Sequence, residues 1–318
     1  MTGSGFDPLT SVHFHETDPG IRWTKDAAPA IEFNSLNPAS GVLTPNVVTL
    51  TGGGYRMYYT GFAPGMTKAD LLGHILSASS VDGSAWTLDD GVRIAVHGPH
   101  ASQRTLCPDV VPIPGGGYRM YYEARRPDAP TVILSATSAD GLEWELEDGV
   151  RIGDGEWSYG SPRCVYFPTD RGLTWRLYFH HYSFPLASGL DAQNHIVSAV
   201  SMDGLNFEVE PGVRIAQETK RETYAVYAPE VIRLENGSFR MFYAGWAEGI
   251  DGGIFTAVSD DGIEWTKTPE PLLDLDSPID RRMVSEPCVI ELPDGRCRMF
   301  YEARDAEGRA QILSATSA

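Results

Sequence analysis

Carboxylates, arginines and histidines recur in two sequence contexts of this 318-residue chain. The first context is a position next to a proline, which holds Asp109, Arg163, Glu230 and Glu286. The second is the end of an aromatic run resembling YRMYY, which holds Glu123, His180 and Glu302. Carboxylates and imidazoles can transfer protons, and guanidinium groups bind oxyanions in a bidentate manner. These residue types together indicate acid–base chemistry on a polar small molecule.

The elements that must position these residues are short strands that repeat along the chain. The aromatic run occurs five times, and its middle residue is Met57, Met120, Leu177, Met241 and Met299 in turn. Successive copies are therefore separated by 63, 57, 64 and 58 residues. In the copy at residues 107–152, four runs of β-formers are separated by Gly, Pro and Asp, which predicts four antiparallel strands. A four-stranded repeat of about 40–60 residues is typical of a β-propeller blade.

We predict an all-β fold, a five-bladed β-propeller of four-stranded antiparallel blades, forming a single domain over residues 1–318. The predicted blades are residues 44–95, 106–153, 160–216, 227–274 and 285–318 together with 21–33. The last blade draws on both termini because the chain stops at ILSATSA, where another Asp-Gly turn is due. Residues 18–23 (DPGIRW) resemble that turn and the aromatic residue after it. An N-terminal strand would thus complete the C-terminal blade and close the ring.

Antiparallel geometry sorts the loops to two ends of the ring. The Gly-rich and Asp-Gly hairpins lie at one end and are short and uniform. The other end, which we call the mouth, carries long irregular loops, including Asn34–Leu43 and Phe62–Gly73. Loops of this kind on a rigid scaffold commonly carry function. We therefore expect a site at the mouth, with substrate-binding residues Arg104, Glu123, Arg125, Arg163, His180, His181, Tyr182, Trp246, Arg282, Glu302 and Arg304.

Composition limits the partners and the compartment. The formal net charge is −18 and no run of Lys or Arg occurs, which argues against nucleic acid or an anionic membrane as partner. The N-terminus lacks a signal-peptide pattern, and no apolar run reaches membrane-spanning length, so we expect a cytoplasmic protein. The four cysteines have no CxxC spacing and are expected to be reduced. We expect no cofactor; a metal held by His180, Glu123 and Glu302 is the alternative, with ion pairing preferred.

The segment Tyr227-Ala228-Pro229-Glu230-Val231 resembles an inner-strand motif of the five-bladed propeller glycosidases, the arabinanase, xylosidase and levansucrase-like enzymes of the glycoside hydrolase family 43 type. The resemblance covers the whole chain as architecture and implies catalysis by carboxylates on different blades. It implies Asp109, Glu230 and Glu286 as catalytic residues, with Glu286 as acid, Asp109 as base and Glu230 tuning the pair. The chain departs from the family pattern at Thr44-Pro45-Asn46 and Ser161-Pro162-Arg163, where the expected Asp is absent.

Three functions remain open at this level. The first is a glycoside hydrolase-like enzyme acting on a small, possibly acidic or phosphorylated glycoside, with phosphate as a possible acceptor. The second is a lyase, cyclase or isomerase on the same scaffold, with Glu123, Glu302 or His180 carrying the proton. The third is a sugar-binding module. Because the residues of the mouth differ in every blade, a single central site is favoured over repeated binding sites. Each carboxylate could also serve as a structural partner of an arginine.

Overall fold

A computed structural model describes residues 14–33, 41–62, 72–169, 172–187, 189–249 and 252–318. Parts of the mouth loops predicted at Asn34–Leu43 and Phe62–Gly73 lie outside these residues. The described chain is almost entirely β, and its one 3-10 turn is Leu190–Ala192. No helix in this part of the chain is long and apolar enough to cross a membrane.

The strands follow the predicted repeat in groups of four. The first group comprises β3 (Val42–Thr49), β4 (Tyr55–Phe62), β5 (Gly73–Ser80) and β6 (Thr87–Leu88). The second comprises β7 (Arg104–Pro112), β8 (Tyr118–Arg125), β9 (Val132–Ser138) and β10 (Glu145–Leu146). The third comprises β11 (Ser158–Thr169), β12 (Gly172–Tyr182), β13 (His195–Ser201) and β14 (Glu208–Val209). The fourth comprises β15 (Ala225–Leu234), β16 (Phe239–Trp246), β17 (Ile254–Ser259) and β18 (Thr266–Lys267).

The last group is assembled from both ends of the chain, as predicted. Its strands are β19 (Met283–Glu291), β20 (Cys297–Arg304), β21 (Ala310–Ser317) and the N-terminal β2 (Trp23–Lys25). Strand β2 pairs antiparallel with β21, and Ile31 bridges Ile312 further along. A second N-terminal strand, β1 (Phe14–His15), pairs parallel with β15. The fold is a β-propeller, and we interpret each group of four strands as one blade.

The blades are arranged in a closed circuit. The first strand of each group contacts the first strand of the next group, and β19 contacts β3. At one seam the contact includes a backbone bridge from Gly73 to Arg104, which joins the first two groups into one sheet. Backbone contacts also cross other seams, in the hydrogen bonds from Tyr159 N to the Thr131 carbonyl and from Val226 N to the Asn194 carbonyl, and in the bridge of Gly252 with Val284.

An aromatic pair crosses every seam of this circuit. Each second strand presents a ring that meets, edge to face, the aromatic residue following the turn of the next blade. The centroid separations are 5.4–6.0 Å for Tyr58–Trp144, Tyr121–Phe207, Tyr178–Trp265, Phe242–Trp23 and Phe300–Trp86. Trp23 occupies the place of the missing aromatic residue, and its Nε1 donates to the Gly20 carbonyl as Trp144 donates to Gly141. The N-terminal segment therefore substitutes for an Asp-Gly turn in detail.

Candidate active site

A cavity of about 530 Å³ opens where the first strands begin and the second strands end. Nine of the residues predicted from the sequence line it, namely Glu286 of the catalytic set and Glu123, Arg125, His180, Tyr182, Trp246, Arg282, Glu302 and Arg304 of the binding set. The five that do not line it are Asp109, Glu230, Arg104, Arg163 and His181.

A β-bulge at the start of every first strand decides which side chains reach the cavity. The pairing register shifts there, and the residue before each proline has a positive φ of 45–52°, at Thr44, Cys107, Ser161, Ala228 and Glu286. A bulge adds one residue to a strand and changes the side toward which the following residues point. Thr44, Cys107, Ser161 and Glu286 line the cavity, whereas none of the five residues following the prolines does. Because of the bulges, Glu286 lines the cavity, whereas Asp109 and Glu230 do not.

Glu286 is the most chemically distinctive group of the cavity. Its side chain is buried, Oε1 accepts a hydrogen bond of 2.9 Å from the Ser161 hydroxyl, and the buried Oε2 makes no hydrogen bond with the described residues. Burial raises the pKa of Glu286 to about 8, and Glu302 and Glu123 act in the same direction against the opposing charge of Arg163. A carboxyl group in this state is protonated at neutral pH and is suited to donate a proton.

Two Glu-Ala-Arg segments supply the other carboxylates. Glu123 ends β8 and pairs with Arg125 at 2.7 Å, and Glu302 ends β20 and pairs with Arg304 at 2.9 Å. Residues two apart on a strand lie on the same face, so each glutamate and its arginine reach the cavity together. A Cβ atom at Gly160 would come within 2.2 Å of Glu123 Oε2, so glycine at this position leaves room for that carboxylate. These pairs place two arginine-bound carboxyl groups in the same cavity as Glu286.

In the third and fourth blades, the corresponding ends of the second strands, β12 and β16, carry aromatic side chains. His180 stacks on Tyr182 with ring centroids 4.5 Å apart, and Trp246 stacks on Tyr224 at 4.9 Å. Burial lowers the pKa of His180 to about 3, so its imidazole is neutral, and its buried Nε2 has no hydrogen-bond partner among the described residues. The Tyr182 hydroxyl contacts the Thr131 hydroxyl at 2.8 Å and accepts from Arg125 at 3.4 Å. One wall of the cavity is thus aromatic and uncharged.

The side chains that follow the prolines form a layer beneath the cavity, where they bind the backbone of neighbouring blades. Asn46 Oδ1 accepts from Val110 N, Asp109 Oδ2 accepts from Cys164 N at 2.7 Å, and Glu230 Oε1 accepts from Val289 N at 2.8 Å. Burial raises the pKa of Asp109 to about 7 and also raises that of Glu230, against the charge of Arg163. This layer uses Asp109 and Glu230 for hydrogen bonds between blades.

Arg163 lies at the centre of the same layer. Its Nε donates to Glu230 Oε2 at 3.0 Å, and its terminal nitrogens donate to the carbonyls of Pro45, Pro108 and Pro162. The side chain is 2 % exposed, and the Glu230 side chain is fully buried. Arg163 therefore ties several blades together below the cavity, and it does not face a ligand there.

Two further predicted residues do not line the cavity and contact aromatic rings beside it. The Arg104 guanidinium lies over the Phe62 ring at 5.6 Å from the centroid, and His181 stacks on Tyr159 at 5.4 Å. His181 follows His180 directly, so strand alternation directs it to the opposite face of β12. Within the described residues, no three His, Cys, Asp or Glu side chains lie close enough to hold a metal, and His180, Glu123 and Glu302 are no exception.

Several cavity residues were not predicted from the sequence, notably Cys107, Ser161, Tyr227 and Ser285. Cys107 and Ser161 occupy the same position before a proline as Glu286, so a column of residues preceding the prolines would have identified them. All four cysteines of the chain are free and buried, as expected for reduced thiols.

Comparison with known proteins finds no matching family model. A curated relative is an uncharacterized protein of Mycobacterium tuberculosis, Rv1502 in strain H37Rv and MT1551 in strain CDC 1551, with 32% identity over 143 residues. The matched region covers 44% of this chain and 45% of that protein, so the similarity spans less than half of either.

Solved structures match over nearly the whole chain. A structure described as a glycoside hydrolase has a TM-score of 0.74 at 16% identity and covers 92% of both chains. An endo-arabinase from Bacteroides thetaiotaomicron has a TM-score of 0.66 at 17% identity, covering 90% of this chain and 96% of that one. A structure reported for a family of mannoside phosphorylases and β-1,2-mannoside hydrolases has a TM-score of 0.65 at 14% identity, covering 98% and 92%. The chain therefore shares its fold with these solved structures, which confirms the resemblance at the level of architecture.

Proposed function

We propose that this protein is a glycoside hydrolase-like enzyme that cleaves a small glycoside in the cavity at the mouth of a five-bladed propeller. The observation that carries the proposal is Glu286, a buried carboxyl with a pKa of about 8 and an unpartnered Oε2 at a cavity that also holds Glu123 and Glu302. Glycosidic cleavage needs one protonated carboxyl at the leaving oxygen and one ionised carboxylate opposite. The similarity of fold to glycoside hydrolases supports the same assignment.

Glu286 is assigned as the acid, and its partner is one of the two arginine-paired carboxylates. Glu123 or Glu302 would activate water or attack the sugar carbon, and the role predicted for Asp109 passes to one of them. Asp109 and Glu230 are assigned to holding the blades together, because both are fully buried below the cavity. The aromatic wall of Tyr182 and Trp246 would contact the apolar face of a sugar ring.

The charges at the cavity favour an anionic substrate. Three arginines, Arg125, Arg282 and Arg304, line the cavity together with three glutamates, of which Glu286 is protonated at neutral pH. This excess of positive charge occurs in a chain whose net charge is −18, so it is a local feature of the cavity. A sugar carrying a carboxylate or a phosphate would match it. The protein is expected to act in the cytoplasm, without a nucleic-acid or membrane partner.

A second candidate function is phosphorolysis, in which inorganic phosphate replaces water. The three cavity arginines favour it, and one structural neighbour is described as belonging to a family of mannoside phosphorylases. Phosphorolysis requires phosphate for turnover and yields a sugar phosphate, whereas hydrolysis proceeds without it. Assays with and without phosphate separate the two functions.

The test is cleavage of a panel of aryl glycosides that includes neutral sugars, uronic acids and sugar phosphates. We expect turnover of an acidic member, with kcat/KM falling as pH rises through about 8, because Glu286 must be protonated. Glu286→Gln should lower kcat by about 10²–10⁴-fold on substrates with poor leaving groups. Glu235→Gln, at an exposed carboxylate in the hairpin after β15, is the matched control. Unchanged activity of Glu286→Gln on a substrate with a poor leaving group would refute the assignment, and elimination products would indicate a lyase.

A further inference from the structure

Four buried side chains form a continuous line along the cavity floor, and two of them have no role in the mechanism above. The Cys107 thiol donates to Glu123 Oε2 at 3.7 Å. The Ser161 hydroxyl lies 3.7 Å from Cys107 Sγ and 2.9 Å from Glu286 Oε1. The line therefore runs from Glu123 through Cys107 and Ser161 to Glu286, and all four residues are buried.

We propose that Cys107 and Ser161 conduct a proton between Glu123 and Glu286, which makes Glu123 the base and returns its proton to the acid after each cycle. The proposal rests on the proposed function and deepens it, because it connects two of the carboxylates of the same cavity. It also predicts an inverting reaction, since only then does one carboxyl end the cycle with a proton that the other has lost.

The proton balance of the cycle is closed. In the reaction, Glu286 gives a proton to the leaving oxygen and Glu123 takes one from the attacking water. In the return, the Glu123 proton moves to Cys107 Sγ as the thiol proton moves to Ser161 Oγ and the hydroxyl proton moves to Glu286 Oε1. Cys107 and Ser161 each gain one proton and lose one. Rotation of the Glu286 carboxyl about its Cγ–Cδ bond then brings the protonated oxygen to the substrate.

The contacts at both ends favour this direction and this base. The Arg125 guanidinium donates to Glu123 Oε1 at 2.7 Å, so Glu123 has a cation beside it that draws the proton path toward the other end of the line. Among the residues that the structure describes, Glu286 forms no ion pair with an arginine, and it holds its proton because it is buried. The hydrogen bonds of Glu302 Oε1 are to Arg304, and they do not form a path to Glu286. Glu123 is therefore the carboxylate that the chain of hydrogen bonds connects to the acid.

The middle of the chain has the chemistry that a relay needs. A hydroxyl group and a thiol each have one hydrogen to donate and lone pairs that accept. Burial raises the pKa of the Cys107 thiol well above its usual value, so it keeps its proton and does not become a thiolate. The Ser161 hydroxyl has acceptors on both sides, Cys107 Sγ and Glu286 Oε1, and its single proton can point to either. These two orientations correspond to the two directions of transfer.

The kinetic test compares Cys107→Ala and Cys107→Ser with the wild type. Proton return follows bond cleavage, so it enters kcat and leaves kcat/KM unchanged. We expect Cys107→Ala to lower kcat at least about tenfold and to make it rise with buffer concentration, since Glu286 must then take its proton from solvent. Cys107→Ser, whose hydroxyl can donate and accept, should keep a kcat independent of buffer. The control is Cys164→Ala, a buried thiol whose hydrogen bond goes to the Val165 carbonyl instead of the cavity.

Two kinetic outcomes would overturn the relay. One is an unchanged kcat in Cys107→Ala. The other is a fall of kcat and kcat/KM together without buffer dependence, which would mean that Cys107 only positions its neighbours.

A second measurement needs no substrate and separates failure of the relay from failure of the proposed function. The S–H stretching band of Cys107 is identified by its loss in Cys107→Ala. When Glu286 loses its proton, the Ser161 hydroxyl turns from Cys107 to Glu286, so the band should shift as pH passes about 8. The shift should vanish in Ser161→Ala, and Glu123→Gln should change the band frequency because the thiol then loses its carboxyl acceptor. A band whose frequency stays the same when the pH is raised, in Ser161→Ala and in Glu123→Gln refutes the relay, whether or not any glycoside is cleaved.

Discussion

Arg163 and Glu230 illustrate at the residue scale how a charged pair can belong to the scaffold of a site. The pair is buried, and Arg163 also binds three proline carbonyls from three blades. Taking two charges out of water is costly, and the cost is offset only where their hydrogen bonds are satisfied. Arg163 further lies close enough to Glu286 to oppose the rise of that pKa. The pair thus sets the floor of the cavity and acts on the acid through its charge.

Removing Arg163 should therefore affect stability before it affects chemistry. We expect Arg163→Met to lower the free energy of unfolding by about 3–5 kcal/mol, because Glu230 would be left buried without its partner. The double variant Arg163→Met/Glu230→Gln should recover part of the loss. Urea denaturation measures both, with Arg296→Met as control at an exposed pair with Asp294 that should change stability little. Equal, small losses in Arg163→Met and Arg296→Met would contradict the structural role.

At the scale of the strand, the bulge limits what the sequence can predict about the site. The repeated aromatic run and the Asp-Gly turns predicted the strands and the N-terminal closure, because period and turn chemistry are local. Of the fourteen site residues predicted from these patterns, nine line the cavity. Strict alternation of side chains along the strand could not indicate whether Asp109 or Cys107 faces the cavity, because the register shift lies between Leu106 and Asp109. That shift is a property of the paired strands. It places Glu286, which precedes its proline, at the cavity, and it places Asp109, which follows its proline, below the cavity.

One position of the second strands, which lies at the seams, holds tyrosine in three blades and phenylalanine in two. Tyr58, Tyr121 and Tyr178 donate hydroxyl hydrogen bonds to the carbonyls of Gly141, Gly204 and Gly262, whereas Phe242 and Phe300 fill the same place without one. We expect Tyr178→Phe to lower the free energy of unfolding by about 1–2 kcal/mol, since the Gly262 carbonyl loses a buried donor while the ring contact with Trp265 remains.

Thermal and urea unfolding measure the loss of stability. Tyr58→Phe tests the equivalent hydrogen bond at a different seam. The double variant Tyr58→Phe/Tyr178→Phe should lose the sum of the two, because the residues lie in different seams. Cleavage activity should be unchanged, since neither residue lines the cavity. A loss of activity with intact stability would indicate that the seams also control the site.

At the scale of the whole molecule, the site depends on closure of the circuit. Glu123, Ser161 and Glu286 come from β8, β11 and β19, and the 2.9 Å bond between Ser161 and Glu286 joins two non-adjacent groups of strands. Such a bond depends on the relative placement of the third and fifth groups, which we expect closure between the first and last groups to stabilise. The N-terminal segment completes the last group through β2 and the bridge from Ile31 to Ile312, and along the chain it leads to β3 of the first group.

Removing residues 1–33 should therefore open the molecule at a defined place. Strand β21 would become an edge with unpaired backbone groups, and edges of this kind pair with other chains. We expect a lower urea midpoint and concentration-dependent association, measured by denaturation and by light scattering after size-exclusion chromatography. A synthetic peptide of residues 14–33 should restore the monomer and the midpoint. Trp23→Ala is the matched variant, because it keeps the β2 pairing but loses the hydrogen bond to Gly20 and the edge-to-face contact with Phe242, the latter worth about 0.5–1.5 kcal/mol beyond its buried area. A truncated chain that stays monomeric with an unchanged midpoint would show that the circuit closes without its N-terminal strand.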